Sequence, residues 1–205
     1  MNIIEPFKVI NLHVPKTGGT TIMRMIKSMG EHLSDDVLKD FHVEWFNMHV
    51  KVDKLPEEVK NKIHEYEILV TTRNTYERMA SLYAMETYDD IHLRQKKIRT
   101  PIRFLPNPRD PFFSFFMLNG EVLPNVTILN FDNLENEIRD YWKNKFDITL
   151  DEVPHFNRAE HPQKHKLKRA ALKDKRFLDK VYEQHYREID KFGYTPPSIP
   201  PYDPE

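Results

Sequence analysis

The chain has 205 residues and no cysteine. That excludes a disulfide framework, a thiolate nucleophile and any cysteine-ligated zinc site, and it suits a cytoplasmic protein. Neither charge is in surplus: 31 Lys and Arg stand against 32 Asp and Glu, a formal net charge of −1. A general binder of nucleic acid or of membrane surfaces carries a basic excess, so no nucleic-acid partner is expected and any basic site must be local. No apolar run approaches the roughly 18 residues needed to cross a bilayer, and no membrane span is expected. Met1 to Ile10 includes Glu5 and Lys8 and lacks both an apolar h-region and a small-residue cleavage site. Asn125-Val126-Thr127 matches a glycosylation acceptor, read as chance without a secretion signal.

What is present is globular. The chain is 39% hydrophobic and 12% aromatic, with 13 Phe and 9 Tyr as core and pocket material. That suffices for one domain, placed at residues 1–195, followed by a Pro-rich tail, residues 196–205. Phe7 to Val14 and Tyr66 to Thr72 read as buried strands, Val126 to Asn130 as a third core strand, and Phe41 to Val52 as an irregular one. Ile22, Met25, Ile26 and Met29 recur at helical spacing up to Gly30, with Thr20-Thr21 as candidate caps. Pro56 opens a short helix with Glu57-Glu58 in its first turn, and Tyr76, Met79, Ala80 and Tyr83 share a helix face. Phe112 to Leu118 reads as an aromatic-rich helix, Leu134 to Phe146 as an amphipathic one, and Leu172 to Phe192 as a closing helix stopped by Gly193. Residues 88–111 and Asp151 to Lys168 read as loops. Strands alternating with helices predict an α/β fold with a mainly parallel central sheet covered on both faces. In such sheets ligands sit beyond the carboxyl ends of the strands, so the loops after Val14 and Thr72 should share one edge.

One of those loops, Pro15-Lys16-Thr17-Gly18-Gly19-Thr20-Thr21, has the parts of a phosphate cradle. A strand–glycine loop–helix start offers backbone N–H groups and a positive dipole end. Lys16 adds a cation, the glycines allow close approach, and the threonine hydroxyls add donors. The Walker pattern GxxxxGK[ST] is absent because the lysine precedes the glycines.

PKTGGTT resembles the phosphosulfate-binding loop of sulfotransferases that use 3′-phosphoadenosine 5′-phosphosulfate, particularly the carbohydrate-modifying branch. The resemblance continues at Arg73-Asn74-Thr75-Tyr76-Glu77-Arg78-Met79-Ala80-Ser81-Leu82-Tyr83, similar to the family pattern R-N-P-x-x-R-x-x-S-x-Y with Thr75 in place of proline. Ile128 to Leu134, Val153 to Asn157 and Asp190 to Tyr194 resemble later family segments, so the likeness runs along nearly the whole chain. It implies a P-loop-like three-layer fold. It also implies that Lys16, Thr17, Gly18, Gly19, Thr20 and Thr21 bind the phosphosulfate end of the donor, and that Arg73 and Ser81 grip its 3′-phosphate. The co-substrate would be 3′-phosphoadenosine 5′-phosphosulfate, the product 3′-phosphoadenosine 5′-phosphate, and the acceptor a hydroxyl of a carbohydrate or another small molecule.

Lys16 would then stabilise the leaving 5′-phosphate, since the protein's share of such a transfer is positioning and charge stabilisation. A base must take the acceptor's proton. In the related enzymes it is a His or Glu between the two donor motifs, which leaves His42, Glu44 and His49 in FHVEWFNMHV, with His49 favoured. Arg78 is open between a site role and a salt bridge. His42, Glu44 and His49, or His155, His161 and His165, match no zinc spacing, and no metal is expected. The basic residues of Lys164 to Arg169, and Arg94, Lys96, Lys97, Arg99 and Arg103, are open between a solvated face and contact with donor or acceptor. The rival readings are a P-loop kinase or nucleotide phosphotransferase, and an inactive nucleotide-binding module of the same fold.

Overall fold

A computed structural model describes residues 1–29, 33, 43–45, 49–92, 101, 111–150 and 161–198. Gly30, His42, Arg94, Lys96, Lys97, Arg99, Arg103, His155 and the end of the Pro-rich tail lie outside the described residues. The chain forms two compact units, the first of residues 1–73 and 112–156, the second of residues 74–111 and 157–205.

The first unit is α/β. Its strands are β1 (Asn2–Ile4), β2 (Val9–Leu12), β3 (Val43–Trp45), β4 (Glu67–Thr72), β5 (Met117–Leu118), β6 (Glu121–Val122) and β7 (Val126–Asn130). Five of them make one sheet in the order β3-β1-β2-β4-β7. β2, β4 and β7 run parallel, with Leu12 opposite Val70 and Thr72 opposite Asn130. β1 pairs antiparallel with both β2 and β3, so the sheet is mixed, where alternation alone predicted a mainly parallel one. The N-terminal hairpin was hidden because β1 has only three residues, too few to show a period.

The strand expected from Phe7 is shorter for a local reason. Glu5–Phe7 is a 3₁₀ turn with Pro6 inside it, and Lys8 takes a left-handed φ of 51° before β2 begins. Phe7 instead packs its ring 5.4 Å from that of Trp142 and 4.8 Å from that of Phe146. Helices α1 (Gly19–Ser28) and α4 (Leu134–Phe146), with α2 (Glu57–Lys62) between them in the chain, belong to this unit. Ile22, Met25, Ile26 and Met29 of the α1 segment and Leu134, Ile138 and Trp142 of α4 bury against Ile4, Val9, Leu69 and Leu129 of the sheet. Pro56 does precede α2, with Glu57 and Glu58 in its first turn.

Phe112 to Leu118 is not a helix of the expected kind. Phe112–Phe116 is a 3₁₀ stretch, and β5 and β6 form a hairpin after it. Asn119 and Gly120, with φ of 54° and 85°, make the two-residue turn. Both central residues at positive φ are what a type I′ hairpin requires, a signal outweighed by the aromatic run.

The second unit is helical in its described part: α3 (Thr75–His92), α5 (Pro162–Lys173) and α6 (Lys175–Phe192). Tyr76, Met79, Ala80 and Tyr83 of α3 share its core with Ala171, Leu172, Phe177, Val181 and Ile189. Three sequence readings need correction. The helix α3 continues to His92, into the stretch read as a loop from residue 88. The stretch from Pro162 to Lys168 is helical, opened by Pro162 at a first-turn position. The closing helix begins at Lys175, because Asp174 leaves helical geometry (φ −82°, ψ 105°) and its carboxylate accepts from the Arg176 N–H at 3.0 Å. That is an N-cap, and it splits the expected helix. Gly193, at φ 64°, does stop it.

Inside this unit Arg78 and Glu188 form an ion pair at 2.7 Å, with side chains 2% and 3% exposed. Arg78 is therefore a structural cation. His185 stands beside the pair, its Nδ1 3.6 Å from the Glu188 carboxylate, at a point where the α6 backbone leaves helical geometry. Burial pushes the His185 imidazole down to about 4, against the pull of Glu188 and with the push of Arg78. Its folded pKa lies below its unfolded one, so its contribution to stability is complete above the unfolded value near 6.5. That contribution is lost as pH falls through about 4. Urea midpoints should therefore drop between pH 7.5 and 4.5, and less steeply in His185→Gln. Equal drops in the two proteins would show that His185 does not control this window.

Among the described residues, no helix is long and apolar enough to cross a membrane.

Candidate functional site

After β2, His13 and Val14 continue as buried chain, and residues 15–18 turn into α1. The Thr17 hydroxyl donates to the Val14 carbonyl at 2.9 Å and closes the turn, leaving Thr17 1% exposed. Lys16 and Gly18 take left-handed φ values of 64° and 86°. Gly18, not a threonine, is the N-cap, and it makes no side-chain cap bond. Its carbonyl accepts from Thr21 at 2.9 Å and from Ile22 at 3.4 Å. Thr20 and Thr21 are thus first-turn residues rather than caps. The N–H groups of Gly19 and Thr20 have no carbonyl to meet within the helix, and the first turn holds no acidic residue. This end of α1 keeps its positive dipole uncompensated by its own side chains.

Both glycines are demanded by packing. A Cβ on Gly18 would lie 2.9 Å from Phe131 Cδ2 and 3.0 Å from Leu134 Cδ2, and one on Gly19 would overlap the His13 ring. The loop is seated on its neighbours before any ligand arrives.

Arg73 follows β4 directly. Because β2 and β4 are parallel, it emerges at the same sheet edge as the loop. Its Nη1 donates to the Lys16 carbonyl at 3.3 Å, and its guanidinium lies 4.3 Å from the centroid of Phe131. Two segments 57 positions apart therefore meet at one place, as the shared edge predicted. Ser81 lies in the second unit, on α3, and is 3% exposed. At the start of α3 Asn74 caps, its side-chain oxygen accepting from the N–H of Tyr76 at 3.1 Å and of Glu77 at 3.4 Å. Thr75 can thus stand where the family pattern has proline.

His49 is exposed, has a left-handed φ of 66°, and brings Nδ1 to 3.0 Å from the His13 carbonyl oxygen. The rings of His13 and His49 are 4.6 Å apart. His13 itself was not singled out in the sequence. It is 6% exposed, and burial, followed by His49, the amino terminus and Lys16, lowers its imidazole to about 3. The usable signal was a polar residue closing an apolar strand directly before the loop. Of the other candidate bases, Glu44 occupies the middle of β3, opposite Ile3, and His42 lies outside the described residues.

The remaining candidates fall elsewhere. His161 caps α5, its Nδ1 accepting from the Gln163 N–H at 3.3 Å. In the KHKLKR stretch, Lys168 pairs with Glu77 at 3.2 Å and Lys164 lies 4.7 Å above the Tyr88 ring. No three His, Asp or Glu residues among those described could hold a metal. An open groove of about 470 Å³ runs between β7 and α4, lined by Glu67, Glu137, Asp140, Tyr141 and Lys145 among others. Three carboxylates against one lysine make it unsuitable for an anion.

The chain matches no family model and no curated protein.

Proposed function

We propose that this protein is a sulfotransferase with a P-loop-like three-layer fold. It would move a sulfuryl group from 3′-phosphoadenosine 5′-phosphosulfate to a hydroxyl of a carbohydrate or another small acceptor. The observation that carries this reading is the bond from Arg73 to the Lys16 carbonyl. It ties Arg73 of the second motif to the loop of the first at the carboxyl edge of one sheet, and a helix start and an arginine are the groups that suit a phosphate.

In the reaction so read, the acceptor oxygen bonds to sulfur as the bond from sulfur to the 5′-phosphate oxygen breaks. The acceptor's proton passes to His49, and the charge gathering on the leaving phosphate is met by Lys16 and the N–H groups of the loop. Catalysis then lies in positioning and preorganised charge, with no covalent enzyme intermediate.

Calorimetry tests the assignment. The protein should bind 3′-phosphoadenosine 5′-phosphate more tightly than ATP with Mg²⁺. Removal of one charge-assisted contact in Arg73→Ala should weaken that binding by roughly 1.5–3 kcal/mol. Tighter binding of ATP would favour a phosphotransferase, and unchanged affinity in Arg73→Ala would remove Arg73 from the site.

A further inference from the structure

We infer that His13 is a positioning residue of this site, holding His49 in the neutral tautomer that keeps its proton on Nδ1 and its lone pair on Nε2. The inference rests on the reading of His49 as the base. A carbonyl oxygen only accepts, so the 3.0 Å contact with the His13 carbonyl requires Nδ1 of His49 to be the donor. In a neutral imidazole the other nitrogen is then the acceptor. The exposed His49 ring leans on the buried His13 ring at 4.6 Å and 59°.

The same His13 ring fills the space against Gly19, where any Cβ would overlap it. One buried side chain thus touches the first residue of the anion-facing helix and the candidate base together. It does so at a cost, because His13 Nδ1 is buried without a hydrogen-bond partner among the described residues. A leucine would fill the space without that penalty, so packing alone does not account for an imidazole. The charged groups acting on His13 are His49, Lys16 and the Met1 amino group. All are cationic when protonated, and with burial they keep His13 neutral. His13 therefore does not compete for the proton that His49 takes.

Long-range ¹H–¹⁵N correlation spectra of the histidine rings in the ¹⁵N-labelled full chain at pH 7.5 test this without any transfer assay. His49 should show a protonated Nδ1 and an unprotonated Nε2; a predominant Nε2–H tautomer overturns the inference. In His13→Leu the carbonyl that accepts from Nδ1 is kept, so the tautomer should persist. Loss of the ring contact should lower transfer by about 10²-fold, with affinity for 3′-phosphoadenosine 5′-phosphate unchanged. A folded His13→Leu with the rate intact also overturns it. If that variant does not fold, the wild-type spectrum decides. The expected tautomer in a protein that transfers no sulfate would support the positioning and overturn the proposed function.

Discussion

Lys16→Ala is expected to reduce sulfuryl transfer about 10²–10³-fold while leaving the fold in place. The backbone argument is direct. Lys16 already carries a Cβ at a φ of 64°, so alanine adds no strain that lysine lacks. The brace from Arg73 lands on the backbone carbonyl of residue 16, which the substitution keeps. What is lost is the ammonium, the one cationic side chain in residues 15–21 and the group assigned to the leaving phosphate. That loss corresponds to about 2.7–4 kcal/mol of transition-state stabilisation. A labelled-donor assay, with urea melts to confirm folding, measures it. Near-normal turnover in a folded Lys16→Ala protein would refute the role of the loop.

The largest expected loss of stability lies away from the loop. Arg78→Ala or Glu188→Ala removes half of an ion pair whose side chains are 2% and 3% exposed. The buried charge left behind has lost its partner at 2.7 Å, and such losses cost about 3–5 kcal/mol. In a chain of this size that lowers the melting temperature by about 6–20 °C. Arg78→Met with Glu188→Leu should recover most of it, since two apolar side chains leave neither charge stranded. The pair also bears on His185, which Arg78 pushes down and Glu188 pulls up. In Arg78→Ala the folded pKa of the imidazole should therefore rise toward its unfolded value, and the stability that His185 loses on acidification should be smaller. Scanning calorimetry across pH gives both results. An unchanged melting point in either single variant would show that the pair contributes little.

The sequence by itself determined the elements whose signal is local. The apolar spacing of Leu134, Ile138 and Trp142 gave α4 its extent, Gly193 ended α6, and Glu67–Thr72 emerged as the buried strand its composition predicted. The PKTGGTT turn was legible for the same reason, because glycines and a lysine in seven consecutive positions constrain a backbone without reference to anything distant. Asn119-Gly120 and the Asp174 cap were equally local and were outweighed, one by an aromatic run and the other by helical periodicity on both sides. Only the tertiary structure decided the rest. It paired β1 with β3, gave Arg78 to Glu188 across 110 positions, and set Arg73 on the Lys16 carbonyl and the Phe131 ring. It also brought His13 against both Gly19 and His49. These outcomes depend on which buried groups meet after the chain has folded back on itself. Burial, ring packing and the pairing of charges act through space, and their partners carry no fixed spacing along the chain.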